Sequence, residues 1–256
     1  MKLYPFILLC LISFPLIAQQ DSIISQVYRW EDAERTTTEH RDRRHFLQGS
    51  TRDLASLEMH ATTLEPGQPL HAPHAHNDRE ELIIIKEGKV KITIGEESQV
   101  LGPGSIALVM PGDQHGLENT GTEPAVFYIM LYHSQAPVDL ERGKQAGGSL
   151  MMNWEDIPYR ETEKGGSRSL FERPTAMFER LEMHATTLNG GMQSHPPHTH
   201  RPAEIILMLE GNTEEQIDEN RYPGKAGDFY FLGSETRHTI RNTGDSPCTY
   251  YAFQFN

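Results

Sequence analysis

Apolar and polar side chains alternate strictly in two short stretches, VKITI at 90–94 and YAFQF at 251–255. A period of two puts every second side chain on one face, as in a half-buried strand. The runs at 81–85 (ELIII) and 204–209 (EIILML) predict strands with apolar interiors, and Gly-Pro-Gly at 102–104 and Pro223-Gly224 mark turns. Residues 33–53, with RDRR at 41–44, show no strand period. They are expected to form an irregular or partly helical arm with its charges in water. The pattern therefore predicts an all-β chain.

The pattern also repeats. LEMHATTL at 57–64 recurs at 181–188, an offset of 124 that also carries Trp30 onto Trp154 and the pair His74, His76 onto His198, His200. Beyond the next glutamate the offset is 123, carrying Gly104 onto Gly227, His115 onto His238 and Asn119 onto Asn242. Ten of the thirteen histidines fall into such pairs, so a duplication is the economical explanation. Two tandem units are expected, at 27–136 and 151–256, with a linker at 137–150.

Each unit carries His-x-His, then a Glu, then a Gly, then a further His. On a strand, His-x-His points both rings to one face. A Glu and a third His from neighbouring strands complete a cage of nitrogen and oxygen donors. The expected metal ligands are His74, His76, Glu81 and His115 in the first unit, and His198, His200, Glu204 and His238 in the second. Glu80 competes with Glu81, but adjacent residues on a strand face opposite ways, and Glu81 keeps the seven-residue step to the following Gly. Three His and one Glu leave two positions open on an octahedral ion. That suits Mn or Fe, with Ni or Zn also compatible, at up to two ions per chain.

These motifs resemble the two-motif pattern of cupins: Gly, His-x-His, Glu and Gly, then Gly, Pro-x-Gly, His and Asn. The second motif departs at its turns: Pro111 falls one place late, and the second copy has Glu235 where the Pro-x-Gly turn is expected. The resemblance covers residues 30–256 and implies two tandem jelly-roll β-barrels. It implies metal binding but names no reaction, because this fold hosts many chemistries.

Other positions are read more plainly. His71 and His195 precede the first ligand and stand equally well as substrate contacts or as surface histidines. His60 and His184 alternate with polar neighbours and are expected on a solvent or subunit-contact face. Asn119 and Asn242 should hold turns, and Trp30 and Trp154 should pack the units together. The strand after the first motif differs between copies, with Val90 and Ile92 replaced by Thr213 and Glu215 if register is kept. A one-residue slip would turn Glu214 inward instead. Glu215 and Glu214 are thus candidate catalytic carboxylates, against the plainer reading of an edge strand protected by charge.

The formal net charge of −13 argues against nucleic acid and against an anionic membrane surface. Residues 1–18 combine a basic start with a short apolar run, a secretory signal with cleavage after Ala18. The mature chain is expected to be exported, periplasmic or extracellular, and off the membrane once cleaved. Cys248 is then the only cysteine left. The expected partner is a small-molecule substrate or ligand, and a homo-oligomer stays open. Three functions remain at this stage. One is a metal-dependent enzyme on a small polar or acidic molecule, of dioxygenase, decarboxylase, isomerase or lyase type. The second is a non-catalytic module that binds or stores a small ligand such as a sugar derivative. The third is a structural dimer stabilised by its metals.

Overall fold

The computed structural model describes residues 22–256, so the expected signal segment at 1–18 lies outside the described residues. The first half of the chain runs β1 (Gln26–Tyr28), β2 (Glu34–Thr37), β3 (Arg41–Gly49), β4 (Leu54–Leu64), β5 (Glu80–Glu87), β6 (Val90–Ile94), β7 (Glu97–Leu101), β8 (Ile106–Val109), β9 (His115–Asn119) and β10 (Ala125–Ser134). A short helix follows, α1 (Leu140–Gln145). The second half runs β11 (Leu150–Met152), β12 (Arg160–Thr162), β13 (Gly165–Arg173), β14 (Leu181–Leu188), β15 (Ala203–Glu210), β16 (Asn212–Ile217), β17 (Asn220–Lys225), β18 (Phe229–Leu232), β19 (His238–Asn242) and β20 (Cys248–Phe255).

Each half is a seven-stranded sheet facing a three-stranded one, the jelly-roll barrel expected from the motifs. The large sheets are ordered β11-β8-β5-β10-β4-β3-β2 and β1-β18-β15-β20-β14-β13-β12. The small ones are β7-β6-β9 and β17-β16-β19. The first strand of each half is exchanged. Leu150 to Met152 pair with β8 of the first barrel, and Gln26 to Tyr28 pair with β18 of the second.

The central strands β5, β8, β15 and β18 are buried on both faces, which explains their unbroken apolar runs. On β5, Leu82 and Ile84 join a core shared between the two barrels, while Ile83 and Ile85 fill the first barrel. The shared core takes Met59 and Tyr128 from one sheet and Phe229, Phe231 and Phe253 from the other. Burying each such side chain contributes roughly 1.5–3 kcal/mol. Two cross-barrel bonds repeat with the pseudo-symmetry. Tyr128 donates to the Gly227 carbonyl at 2.8 Å, and Tyr251 donates to the Gly104 carbonyl. Trp30 and Trp154 do pack the units together. The Trp30 backbone N–H donates to the Asp228 carboxylate at 2.8 Å, and the Trp154 ring lies so close over Gly104 (φ 80°) that a Cβ there would meet it at 2.7 Å.

One expectation is corrected. Residues 33–53 are not an irregular or helical arm but carry β2 and β3, with β3 paired along β4. The strand period was hidden because Arg41 and Arg43 on β3 line a cavity rather than an apolar core. Within 137–150 the chain forms α1, capped by Asp139, whose carboxylate accepts from the Arg142 N–H at 2.9 Å.

Candidate metal centres

His74 and His76 lie in the connection between β4 and β5, not on a strand as expected. A single bridge orders them: His74 and His115 exchange backbone hydrogen bonds of 3.0 and 2.8 Å. The same bridge joins His198 and His238. Glu81 enters from β5 and Glu204 from β15, while His115 and His238 begin β9 and β19. Asn119 and Asn242 fix the end of that last strand as expected. Each side-chain amide donates to two carbonyls, at 2.8 and 2.9 Å, and accepts one N–H at 2.9 Å.

In the first barrel His74, His76, Glu81 and His115 bring one donor atom each to within 4.8 Å of one another. Nε2 of His74 is 3.1 Å from Nε2 of His76, and Glu81 Oε2 is 3.2 Å from His76 and 3.1 Å from His115. In the second barrel the three histidines form the same cluster. Glu204 Oε2 joins it, 3.0 Å from His200 and 3.2 Å from His238. Two ligands at 90° around one ion, each about 2.1 Å from it, stand about 3.0 Å apart. The observed spacings match that figure. The buried Nε2 of His238 makes no hydrogen bond, so the donor set fits a cation. Backbone carbonyls of Asp113, Thr236 and Pro202 accept from Nδ1 of His115, His238 and His200, at 3.2, 2.9 and 2.8 Å. Each bond fixes the tautomer whose Nε2 lone pair faces the cage.

The electrostatics agree. Burial alone would raise Glu81, but its hydrogen bonds and attraction to His115 and His76 outweigh burial and hold its carboxyl down at about 2. Glu204 is held at about 2 against burial by His200 and His238. Burial, then the neighbouring imidazoles, lower His74 to about 4. Both cages thus combine ionised carboxylates with imidazoles crowded together.

The structure separates Glu80 from Glu81. Glu80 turns away from the histidines and accepts from the Met177 N–H at 3.1 Å, tying the two barrels together. Glu214 is likewise turned outward: it faces Arg221 at 2.7 Å on the surface, which corrects its candidacy as an interior carboxylate. Glu215 is buried, with neither carboxylate oxygen hydrogen-bonded. Register is kept, since Glu215 pairs with Ile240 as Ile92 pairs with Leu117.

His60 and His184 are not on a solvent or subunit face. Their strands turn the apolar side, Leu57 and Met59 or Leu181 and Met183, toward the shared core. The polar side then lines the barrel, so His60 and His184 border the cavities at the two cages. A polar strand face that lines a cavity reads in sequence like one facing water. His71 and His195 stand edge-on to His74 and His198, with ring centroids 4.2 and 4.1 Å apart. The first cavity, about 180 Å³, is bordered by Arg41, Arg43, Leu70, Ile129 and Leu131. The second, about 340 Å³, is bordered by Ser167, Ser194, Tyr250, Ala252 and Gln254.

Comparison with known proteins agrees with this architecture. The cupin domain matches the sequence twice, at residues 60–132 and 185–253. No curated protein matches it. Among solved structures the fold is similar to protein Ylba from E. coli, at 14% identity and TM-score 0.72, covering 94% of this chain and 95% of that one. It is similar to the oxalate decarboxylase of Lactobacillus farciminis, solved as a formate complex, at 14% identity and TM-score 0.71, covering 95% and 89%. It is also similar to AerE from Microcystis aeruginosa, at 14% identity and TM-score 0.69, covering 90% and 99%. At these identities the likeness is one of fold.

Proposed function

The chain belongs to the cupin family, with two cupin domains in tandem, and from that premise we propose that it is an exported metal-dependent enzyme acting on a small polar or acidic organic molecule. The carrying observation is the pair of cages whose donors stand about as far apart as adjacent ligands on one ion, each bordering a cavity. His74, His76, Glu81 and His115 would hold one ion, and His198, His200, Glu204 and His238 the other. Four protein donors leave two positions of an octahedral ion for water, dioxygen or a bidentate ligand, which suits Mn or Fe ahead of Ni or Zn. When bound, the ion supplies Lewis acidity toward a carboxylate, enolate or carbonyl oxygen.

The chain's own groups do the rest. Glu81 and Glu204 remain ionised, balancing the cation and leaving part of its charge for an anionic ligand. The backbone carbonyls on Nδ1 of His115, His200 and His238 keep those rings from rotating out of the cage. The reaction class is a dioxygenase, decarboxylase, isomerase or lyase, and the oxalate decarboxylase fold neighbour supports that range rather than one member of it.

The test is metal analysis, followed by oxygen uptake and product detection with a panel of hydroxy acids, keto acids, catechols and uronates. Turnover of at least one compound, lost on chelation and restored by Mn or Fe, is the expected outcome. Binding without turnover across the panel would instead favour a ligand-holding module.

A further inference from the structure

Unit two has rebuilt the inside of its barrel with polar side chains at positions that are apolar in unit one. The pairings identify the equivalents. Phe127 faces Thr62 and Tyr250 faces Thr186. Ala107 pairs with Ile83, and Tyr230 with Ile206. Val90 pairs with Asn119, and Thr213 with Asn242. Val90, Ile92, Ala107 and Phe127 thus become Thr213, Glu215, Tyr230 and Tyr250. The four in unit one are fully buried in one apolar cluster. Their replacements are as deeply buried, between 0% and 3% exposed. The hydroxyls of Thr213 and Tyr230 are 3.0 Å apart. Glu215 has no hydrogen-bond partner among the described residues, an arrangement that costs stability unless something uses it.

The walls change mostly toward smaller side chains, with the loss of two guanidinium groups. Leu70 becomes Ser194, Ile129 becomes Ala252 and Leu131 becomes Gln254. Arg41 and Arg43, which border the first cavity, become Gly165 and Ser167. Tyr250, Gln254 and Glu204 border one and the same cavity, so the floor and the metal cage face a common space. Burial, then the charge of Glu204, push the Glu215 carboxyl well up.

We propose that the second cavity is the chamber for a polyhydroxylated carboxylate, its carboxylate end at the His198–His200–Glu204–His238 cage and its hydroxyl end on Tyr250 and Gln254. Glu215, Tyr230 and Thr213 are positioning residues that hold this floor polar. The first cavity is smaller and has Phe127 and Leu131 at the positions of Tyr250 and Gln254, so it lacks the hydroxyl-binding end and takes no such ligand. The assignment rests on the metal reading above and adds the ligand's class and its site.

The experiment uses Co²⁺-loaded full chain in a His76→Ala background, which empties the first cage. Its visible spectrum is titrated with gluconate and with hexanoate, acids of equal chain length with and without hydroxyls. Gluconate should bind at least about tenfold more tightly, the scale of one or two well-placed hydrogen bonds. Tyr250→Phe should remove about fivefold to tenfold of that affinity and leave hexanoate within about twofold. Thr213→Val with Glu215→Ile, the unit-one floor, should weaken gluconate at least as much while raising the thermal midpoint of the metal-free protein. Equal affinities for the two acids, or equal losses for both in Tyr250→Phe, would overturn the assignment. So would an unchanged gluconate affinity in the unit-one floor variant. A wild-type protein that takes up no Co²⁺ would fail the metal reading and this assignment together. Uptake without discrimination between the acids would fail this assignment alone.

Discussion

The two barrels share a cage and differ in the chamber beneath it. Backbone elements fix the cage: one bridge from His74 to His115 or from His198 to His238, one strand for the Glu, and one Asn that closes the turn. The chamber is set by side chains alone. Isoleucine, leucine and arginine narrow the first cavity to about 180 Å³, while alanine and serine open the second to about 340 Å³. A duplicated fold can therefore keep its ligation geometry unchanged while one copy acquires a new interior. The polar interior is destabilising, since a buried carboxyl without partners costs about 1–3 kcal/mol. That cost is the physical reason to connect Glu215 with function.

The comparison breaks most sharply at the ligands themselves. His238→Ala should lower turnover of the identified substrate by at least about 100-fold, while His115→Ala should leave most of it. Steady-state kinetics on the metal-reconstituted variants checks this, and equal losses would make the two sites equivalent. Next comes the chamber. Ala252→Ile puts the unit-one side chain into the second cavity, and ligand affinity should fall about tenfold with metal content unchanged. Equilibrium binding and elemental analysis of one preparation give both numbers.

A smaller effect concerns pH. The folded-state value of Glu215 is raised above its ordinary 4.5, first by burial and then by Glu204, while Tyr230 and Tyr250 stay neutral beside it. The folded chain therefore holds a proton that the unfolded chain releases. The associated stability is fully present below about pH 4.5 and is lost as pH rises toward the folded-state value. Thermal midpoints of the metal-free protein should fall from pH 5 to pH 8 relative to Glu215→Gln, and parallel curves would show that Glu215 is ionised when folded. The smallest effect is at Glu214. Its pair with Arg221 is on the surface, so Glu214→Gln should change stability by less than about 0.5 kcal/mol in urea unfolding and leave turnover alone.

Much of this was legible in the sequence. The repeated His-x-His, Glu and His fixed the cages because ligand spacing is local and duplicated. Strand alternation allowed only one of Glu80 and Glu81 to ligate, the seven-residue step to Gly88 chose Glu81, and Glu80 does face the other way. Three features escaped. Strand β3 was missed because Arg41 and Arg43 give its inner face the same polarity as its outer one. His60 and His184 were expected on a solvent or subunit-contact face because periodicity tells a strand's two faces apart but not which one faces the barrel interior. The exchange of Gln26–Tyr28 and Leu150–Met152 between barrels left no local signal, since three-residue strands take their partners from tertiary packing.

The central claim is that each cage holds one divalent ion, and elemental analysis of the purified protein tests it most directly. The expected result is close to two ions per chain, falling to one in His76→Ala and in His200→Ala, and to none when both are replaced. A metal content unchanged in the double variant would contradict it.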